Sequence, residues 1–298
     1  MKALGILPAI AGICLLLFSC SGNIDPDEGG NNDGGTTGRP DVVLPENFVS
    51  RYRQRMIAMQ FTSAGCVNCP SLTDAVNSVR ASRPEIIPVA LHLDYDIDDP
   101  MSLQVCPMFY ERVSHNESNI ISLPMFALNF RRSSQRIVCE SPKILSEMAL
   151  QAEKYPVCSG VAIQTAYDEK SRKLSVTAKF VSEISQVCRY HILLVEDGIK
   201  YMQMGVESSD YIHDNVLRYL ASDDMRGVRI NSGNPLTPDQ EYEVVKSIAI
   251  DSEWNPEAMR VIVVLLSEDD GNSQTYGCNN ANECALGSSA GYQYKDDK

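Results

Sequence analysis

Apolar residues along this chain repeat with two different periods. Met56-Ile57-Ala58-Met59-Gln60-Phe61 is nearly continuous in apolar character, as expected of a strand buried on both faces. Leu72, Ala75, Val76 and Val79 then fall at i, i+3, i+4 and i+7, one face of a helix. Pro70 suits the first turn of that helix, because its missing N–H has no partner to lose there. Asp74 sits early and Arg80 and Arg83 late, as the helix dipole favours, and Pro84 ends the pattern. Val89 to Leu93 predicts a second buried strand, with Pro88 placed at its start because a central strand does not tolerate proline. Residues 94–108 read as an irregular acidic loop, with room for a helix beyond it. Leu123-Pro124-Met125-Phe126-Ala127-Leu128 reads as a short strand, and Ser141-Pro142 opens a helix carrying Ile144, Leu145, Met148, Ala149 and Ala152 at helical spacing.

From Gly160 the period becomes two. Residues 161–167 alternate, 168–171 turn, and Leu174, Val176, Ala178 and Phe180 alternate back, which predicts a hairpin. Residues 192–195, 242–250 and 261–266 are further strand candidates, while 211–220 is ambiguous between helix and loop. Short strands with polar turns point to an all-β antiparallel sandwich. The expected organisation is therefore an α/β domain over 41–158 followed by an all-β sandwich domain over 159–298.

The start of the chain changes the picture. Residues 1–19 are apolar after Lys2, are broken by Gly5, Pro8 and Gly12, and end at Leu17-Phe18-Ser19-Cys20. They are too short and interrupted to span a bilayer comfortably. The pattern resembles a bacterial lipoprotein signal, which implies lipidation at Cys20 and a membrane partner through that anchor. Each buried acyl methylene contributes about 0.8 kcal/mol, so several chains anchor stably. Residues 20–40 are rich in Gly, Asn and Asp and lack aromatic residues, the composition of a flexible tether.

A net charge of −13 without a basic cluster argues against nucleic acid as a partner. Of ten cysteines, Cys14 lies in the signal and Cys20 at the anchor, leaving an even eight in an exported chain, a number that suggests disulfides. Proximity favours Cys66–Cys69 and Cys278–Cys284, with Cys106, Cys139, Cys158 and Cys188 available for two more bridges.

Cys66-Val67-Asn68-Cys69, between a strand and a helix, is the main candidate for chemistry. A Cys-x-x-Cys pair in that context carries out thiol–disulfide exchange: helix N–H groups favour the thiolate of Cys66, and Cys69, one turn on, resolves the mixed disulfide. Two other readings remain, an inert short-loop disulfide and half of a zinc site, although no second pair of ligands has zinc spacing. His92, His115, His191 and His213 lack spaced partners and read as packing or surface residues. Asp94, Asp96 and Asp98 resemble the start of a calcium loop. Asp99 stands where its glycine belongs and Val105 where its glutamate belongs, so a solvated acidic loop is the expectation. No cofactor motif is present.

The order strand, Cys-x-x-Cys helix, strand, loop, proline-led strand, helix resembles the thioredoxin-like fold. With the lipoprotein start, the chain resembles the thioredoxin-like outer-membrane lipoproteins of Bacteroidetes-type bacteria, the twenty-eight-kilodalton outer-membrane-protein family. The carriers are Gln60-Phe61-Thr62-Ser63 before Cys66-Val67-Asn68-Cys69-Pro70, the Leu123-Pro124 segment, and Tyr211 to Arg218. The resemblance implies that Pro124 is a cis-proline facing the cysteine pair and holding a partner's backbone. It also implies a lipid-anchored outer-membrane location, on the periplasmic or cell-surface face, with exported protein thiols or disulfides as partners. The chain departs from the thioredoxin pattern in having Ala64-Gly65 where a tryptophan precedes the first cysteine and Val67-Asn68 where a proline is usual. No buried Asp–Lys pair can be assigned as a proton relay. A non-enzymatic surface binding or adhesion module, with a structural Cys66–Cys69 bridge, is the alternative.

Overall fold

Strands dominate the structure, a computed structural model that describes residues 44–114, 121–134, 138–222, 224–269 and 272–296. The first half supplies β1 (Met56–Thr62), α1 (Cys69–Ser82), β2 (Ile86–His92), α2 (Val105–Val113), β3 (Met125–Leu128) and α3 (Ser141–Lys154). The second half supplies β4 (Ser159–Asp168), β5 (Lys173–Ser182), β6 (Cys188–Glu196), β7 (Ile199–Tyr201), β8 (Tyr211–His213) and β9 (Val216–Leu220). It continues with β10 (Val228–Arg229), β11 (Glu241–Ala249), β12 (Met259–Asp269), β13 (Asn272–Ala285) and β14 (Ser289–Ala290). Residues 39–298 form one compact unit.

A mixed eight-stranded sheet runs β13-β12-β6-β9-β2-β1-β3, with β10 added on β6. β1 and β2 are parallel from Met56↔Ile86 to Thr62↔His92, and β3 runs antiparallel to β1 from Ala58↔Leu128 to Phe61↔Met125. β9 is the link between the halves of the chain. It is antiparallel to β6 and pairs parallel with β2 at Ala90↔Val216. A four-stranded antiparallel sheet, β11-β5-β4-β14, and the small β7–β8 ribbon complete the set.

Successive residues of a strand point to opposite faces, and both faces of β1 are covered. Ile57, Met59 and Phe61 join a core with Val89, Leu91, Phe109 of α2, Leu193 and Val264. Met56 and Ala58 join another with Leu72 and Val76 of α1 and Ile144 and Met148 of α3. This double burial explains why the run is continuously apolar. Phe180 and Val176 of the four-stranded sheet pack in a third core with Ile192, Val261 and Val263 of the larger one.

Several local expectations need correction. Pro88 is the third residue of β2, paired with Ala58, rather than its first. Ala90, two residues on, donates its N–H to Asn215 of the β9 side. By strand periodicity the nitrogen of Pro88 faces that same side, below the point where β9 begins, so no ladder bond is lost. Residues 211–220 form strands β8 and β9 rather than a helix or loop. The alternating pattern also hid β13, whose buried Asn279, Asn280 and Asn282 look like turn residues in sequence.

The expected cysteine bridges beyond the first do not form. Cys278 and Cys284 are free and lie six residues apart on one strand, about 20 Å at the strand rise. A disulfide needs Cα atoms within about 7 Å. A register shift between Leu265 and Leu266 also sends Cys278 and Cys284 into different cores. Cys106, Cys139, Cys158 and Cys188 are likewise free thiols. Burial pushes the thiols of Cys106 and Cys278 up to about 12 and that of Cys158 up to about 11. Cys106, Cys188, Cys278 and Cys284 act as small apolar side chains of the cores.

Candidate functional site

The site is built on the connection from β1 to α1. β1 ends at Thr62, and the chain turns at once. Cys66 N–H donates to Ser63 O at 3.1 Å, and Cys69 N–H donates to Cys66 O at 3.3 Å. This turn brings the two Cα atoms to 5.4 Å and closes the Cys66–Cys69 disulfide. The helix starts at Cys69, with Asn68 as its N-cap and Pro70 in its first turn. Cys69, rather than Cys66, therefore occupies the first helical position, and Cys66 lies just ahead of it. The intervening Val67 is 56% exposed, whereas Cys66 and Cys69 are only 3% and 2% exposed. The dipeptide faces outward and the sulfurs face inward.

Pro124 reaches the same place from the other side. Its bond to Leu123 is cis. The register Phe61↔Met125 sets Pro124 beside Thr62, where β1 gives way to the motif.

Two segments close over the motif. The first is the acidic loop after β2. An ideal Cβ at Gly65 would lie 2.1 Å from Tyr95 O, so the loop and the motif touch backbone to backbone and only glycine fits. Asp94, Asp96 and Asp98 of that loop are exposed, as expected of a solvated acidic loop, but the adjoining Asp99 is buried, 4% exposed. Its Oδ2 accepts from Ala64 N at 2.7 Å and contacts His92 Nδ1 at 2.8 Å, and its Oδ1 accepts from Met101 N at 2.9 Å. Burial alone would raise the Asp99 carboxyl, but these hydrogen bonds and the neighbouring His92 outweigh it and hold the carboxyl below its ordinary range. Asp94 is spent within its own loop, accepting from Asp99 N and Ser102 Oγ.

The second segment, 203–205, leads from β7 towards β8. Met204 N donates to Ala64 O at 2.8 Å. The Gln203 side-chain nitrogen sits among three motif carbonyls, at 2.8 Å from Cys66 O, 3.2 Å from Ser63 O and 3.3 Å from Ala64 O. Gly205, with φ +85, lies so close that a Cβ there would be 2.7 Å from Val67 O. Behind this segment the ring of His213 on β8 stacks edge-on against His92 at 5.3 Å. Burial first, then the neighbouring His92, pushes His213 down to about 4.

Of the expected site residues Cys66, Cys69 and Pro124, the two cysteines form the bridge, and the β1–β3 register puts Pro124 beside Thr62 at the end of β1. The sequence reading missed His92, Asp99, Gln203 and His213. One signal was available, since His92 is a polar residue inside a continuous apolar strand. Gln203 carried none, because its partners come from tertiary contact. His115 and Cys20 lie outside the described residues. Among the described residues, no group of three or more His, Cys, Asp or Glu is placed to hold a metal. The chemistry within reach is exchange at the sulfur pair.

A disulfide at the head of a helix, beside a proline-led strand in a mostly β chain with mixed and antiparallel sheets, defines a class of protein. The chain belongs to the outer membrane protein Omp28 family, whose model matches residues 119–287. Its place is accordingly the outer membrane. No helix among the described residues is long and apolar enough to cross a membrane. No curated protein matches the chain. Among solved structures, HBP35 of Porphyromonas gingivalis is similar over 84% of this chain and 80% of that one, with TM-score 0.66 and 12% identity, a likeness of fold. A domain of the outer membrane lipoprotein Omp28 from Porphyromonas gingivalis covers 44% of this chain and 89% of its own, with TM-score 0.28 and 12% identity.

Proposed function

We propose that this outer-membrane protein exchanges disulfides with exported proteins through Cys66 and Cys69. The observation that carries this reading is the placement of the pair. It is the one bridge among the described cysteines, set between β1 and α1, while Cys106, Cys188, Cys278 and Cys284 pack in the cores. A partner thiolate attacks Sγ of Cys66, the Cys66–Cys69 bond breaks, and Cys69 leaves as thiolate. The partner's second thiolate then attacks the partner sulfur of the mixed disulfide and releases Cys66. The partner loses two electrons and two protons, and the pair gains both. The reverse sequence, with Cys66 attacking and Cys69 resolving, reduces a partner. Pro124 and the adjoining backbone orient the partner chain. No cofactor enters, because the partner's sulfurs supply or accept the electrons.

The finer architecture belongs to the same reading: a thioredoxin-like part over 41–158, an antiparallel sandwich over 159–298 that positions the partner, and a lipid anchor at Cys20, which lies outside the described residues. Support comes from the β1–α1–β2 order and from the core shared by the two larger sheets.

A specific observation favours a second reading. Both cysteines are buried, as in a structural staple on a scaffold whose work is binding or adhesion. Two measurements separate the readings. Across glutathione poises, exchange requires Cys66 and Cys69 to titrate together above about −300 mV, the range of labile bridges. Cys69→Ser should then trap covalent partners on Cys66, and Cys66→Ser should not. A pair that stays oxidised throughout, with an empty trap, overturns the exchange function.

A further inference from the structure

Exchange at a disulfide needs the incoming sulfur to approach along the S–S axis. The structure gives no such approach, since Cys66 and Cys69 are 3% and 2% exposed. On one side the 203–205 segment lies against the backbone of the motif. It belongs to the β7–β8 ribbon, which is hydrogen-bonded into neither of the larger sheets. Its hold on the motif is a set of discrete contacts: Met204 N to Ala64 O, the Gln203 amide to the carbonyls of Cys66, Ser63 and Ala64, and Gly205 against Val67. An amide NH2 has two hydrogens, and those of Gln203 are shared among the three motif carbonyls and Met204 O at 3.4 Å, with Cys66 O the nearest at 2.8 Å. On the outer side, Met202 and Ile212 are 38% and 42% exposed, so little packs over the ribbon from outside.

We infer that the 203–205 segment is a strap that gates the disulfide: the pair reacts only in the fraction of molecules in which Gln203, Met204 and Gly205 have left the motif. The inference rests on the exchange reading. It also reconciles that reading with the burial of both sulfurs, since a buried pair is then a closed state rather than an inert one. The observed rate is the opening equilibrium multiplied by the intrinsic rate of attack, so any change that loosens the strap without touching the cysteines accelerates reduction.

The test uses the full chain in detergent, with dithiothreitol as the reductant and alkylation with mass spectrometry as the readout of Cys66 and Cys69. Dithiothreitol supplies the two electrons and closes to its own cyclic disulfide. Gln203→Ala removes the amide and should speed reduction about tenfold, the scale of one or two net hydrogen bonds. Gly205→Ala drives a methyl group towards Val67 O at an unfavourable φ and should do the same. Lys200→Ala, on the exposed side of β7, should leave the rate unchanged. Equal, rapid reduction in all forms overturns the strap and leaves exchange standing. Equal resistance in all forms overturns both and makes the pair a staple. If a variant does not fold, amide exchange at Met204 in the unmodified chain decides. Opening far more often than global unfolding supports the gate, and exchange only through global unfolding refutes it.

Discussion

Acid should destabilise this protein through His191 in a way that can be calculated. His191 lies on β6 with no exposure. Its Nε2 is 3.2 Å from Met225 O, and its Nδ1 has no partner among the described residues. The rings of Phe109 and Phe130 lie 5.9 and 5.4 Å away. Burial is the largest influence and pushes the imidazole from 6.5 down to about 4; Arg112 and Arg189 add to it, and the Met225 carbonyl and Asp224 oppose it. The folded chain thus keeps His191 neutral where the unfolded chain protonates it. Its contribution to stability is complete above pH 6.5 and is lost progressively as pH falls towards 4. At pH 5, one and a half units below the unfolded value, the loss is about 2 kcal/mol at 1.36 kcal/mol per unit. The assay is urea unfolding of the native chain and of His191→Leu at pH 8 and pH 5. Whatever the packing cost of leucine at pH 8, the variant should gain about 2 kcal/mol on the native chain at pH 5. His213 titrates in both proteins and cancels. A difference that does not change with pH, or that moves the other way, refutes the reasoning.

Two further perturbations test the interior. Asp99→Ala strips three partners, the N–H groups of Ala64 and Met101 and the His92 ring, and should cost about 3–5 kcal/mol by chemical denaturation. Because the Asp99 carboxyl is held low, its contribution persists down to the unfolded carboxylate value near pH 3.9 and is lost below that. Asn280→Ala orphans Arg55 N–H and Ser159 O, which its side chain meets at 2.9 and 2.7 Å. A loss of about 2–4 kcal/mol should lower Tm by several degrees, read by circular dichroism.

The legible parts of this fold are those whose cause is local. β1 and α1 were readable because one is apolar throughout and the other apolar every third or fourth residue. The β4–β5 hairpin was readable because Val161, Ile163, Leu174, Val176, Ala178 and Phe180 alternate. Where the pattern failed, tertiary context had reversed the usual meaning of a residue. Asn280 and Asn282 are turn formers in isolation, yet on β13 their amides bond Ser159 O and Val161 O and bury without penalty. Asp99, in an acidic run, became the buried acceptor for the motif backbone. Proximity in sequence suggested a Cys278–Cys284 bridge that strand geometry forbids.

The sequence by itself therefore determined the Cys66-x-x-Cys69 motif, its setting between a strand and a helix, and the proline that leads β3, because each rests on a local pattern of neighbouring residues. Only the tertiary structure decided that β9 joins the second half of the chain to β2, that a single bridge forms among the described cysteines, and that Gln203 closes over Cys66 from 137 residues away. Those outcomes rest on which surfaces meet in space. Short-range periodicity carries no record of that, because burial and hydrogen bonding are satisfied by whichever distant segment arrives.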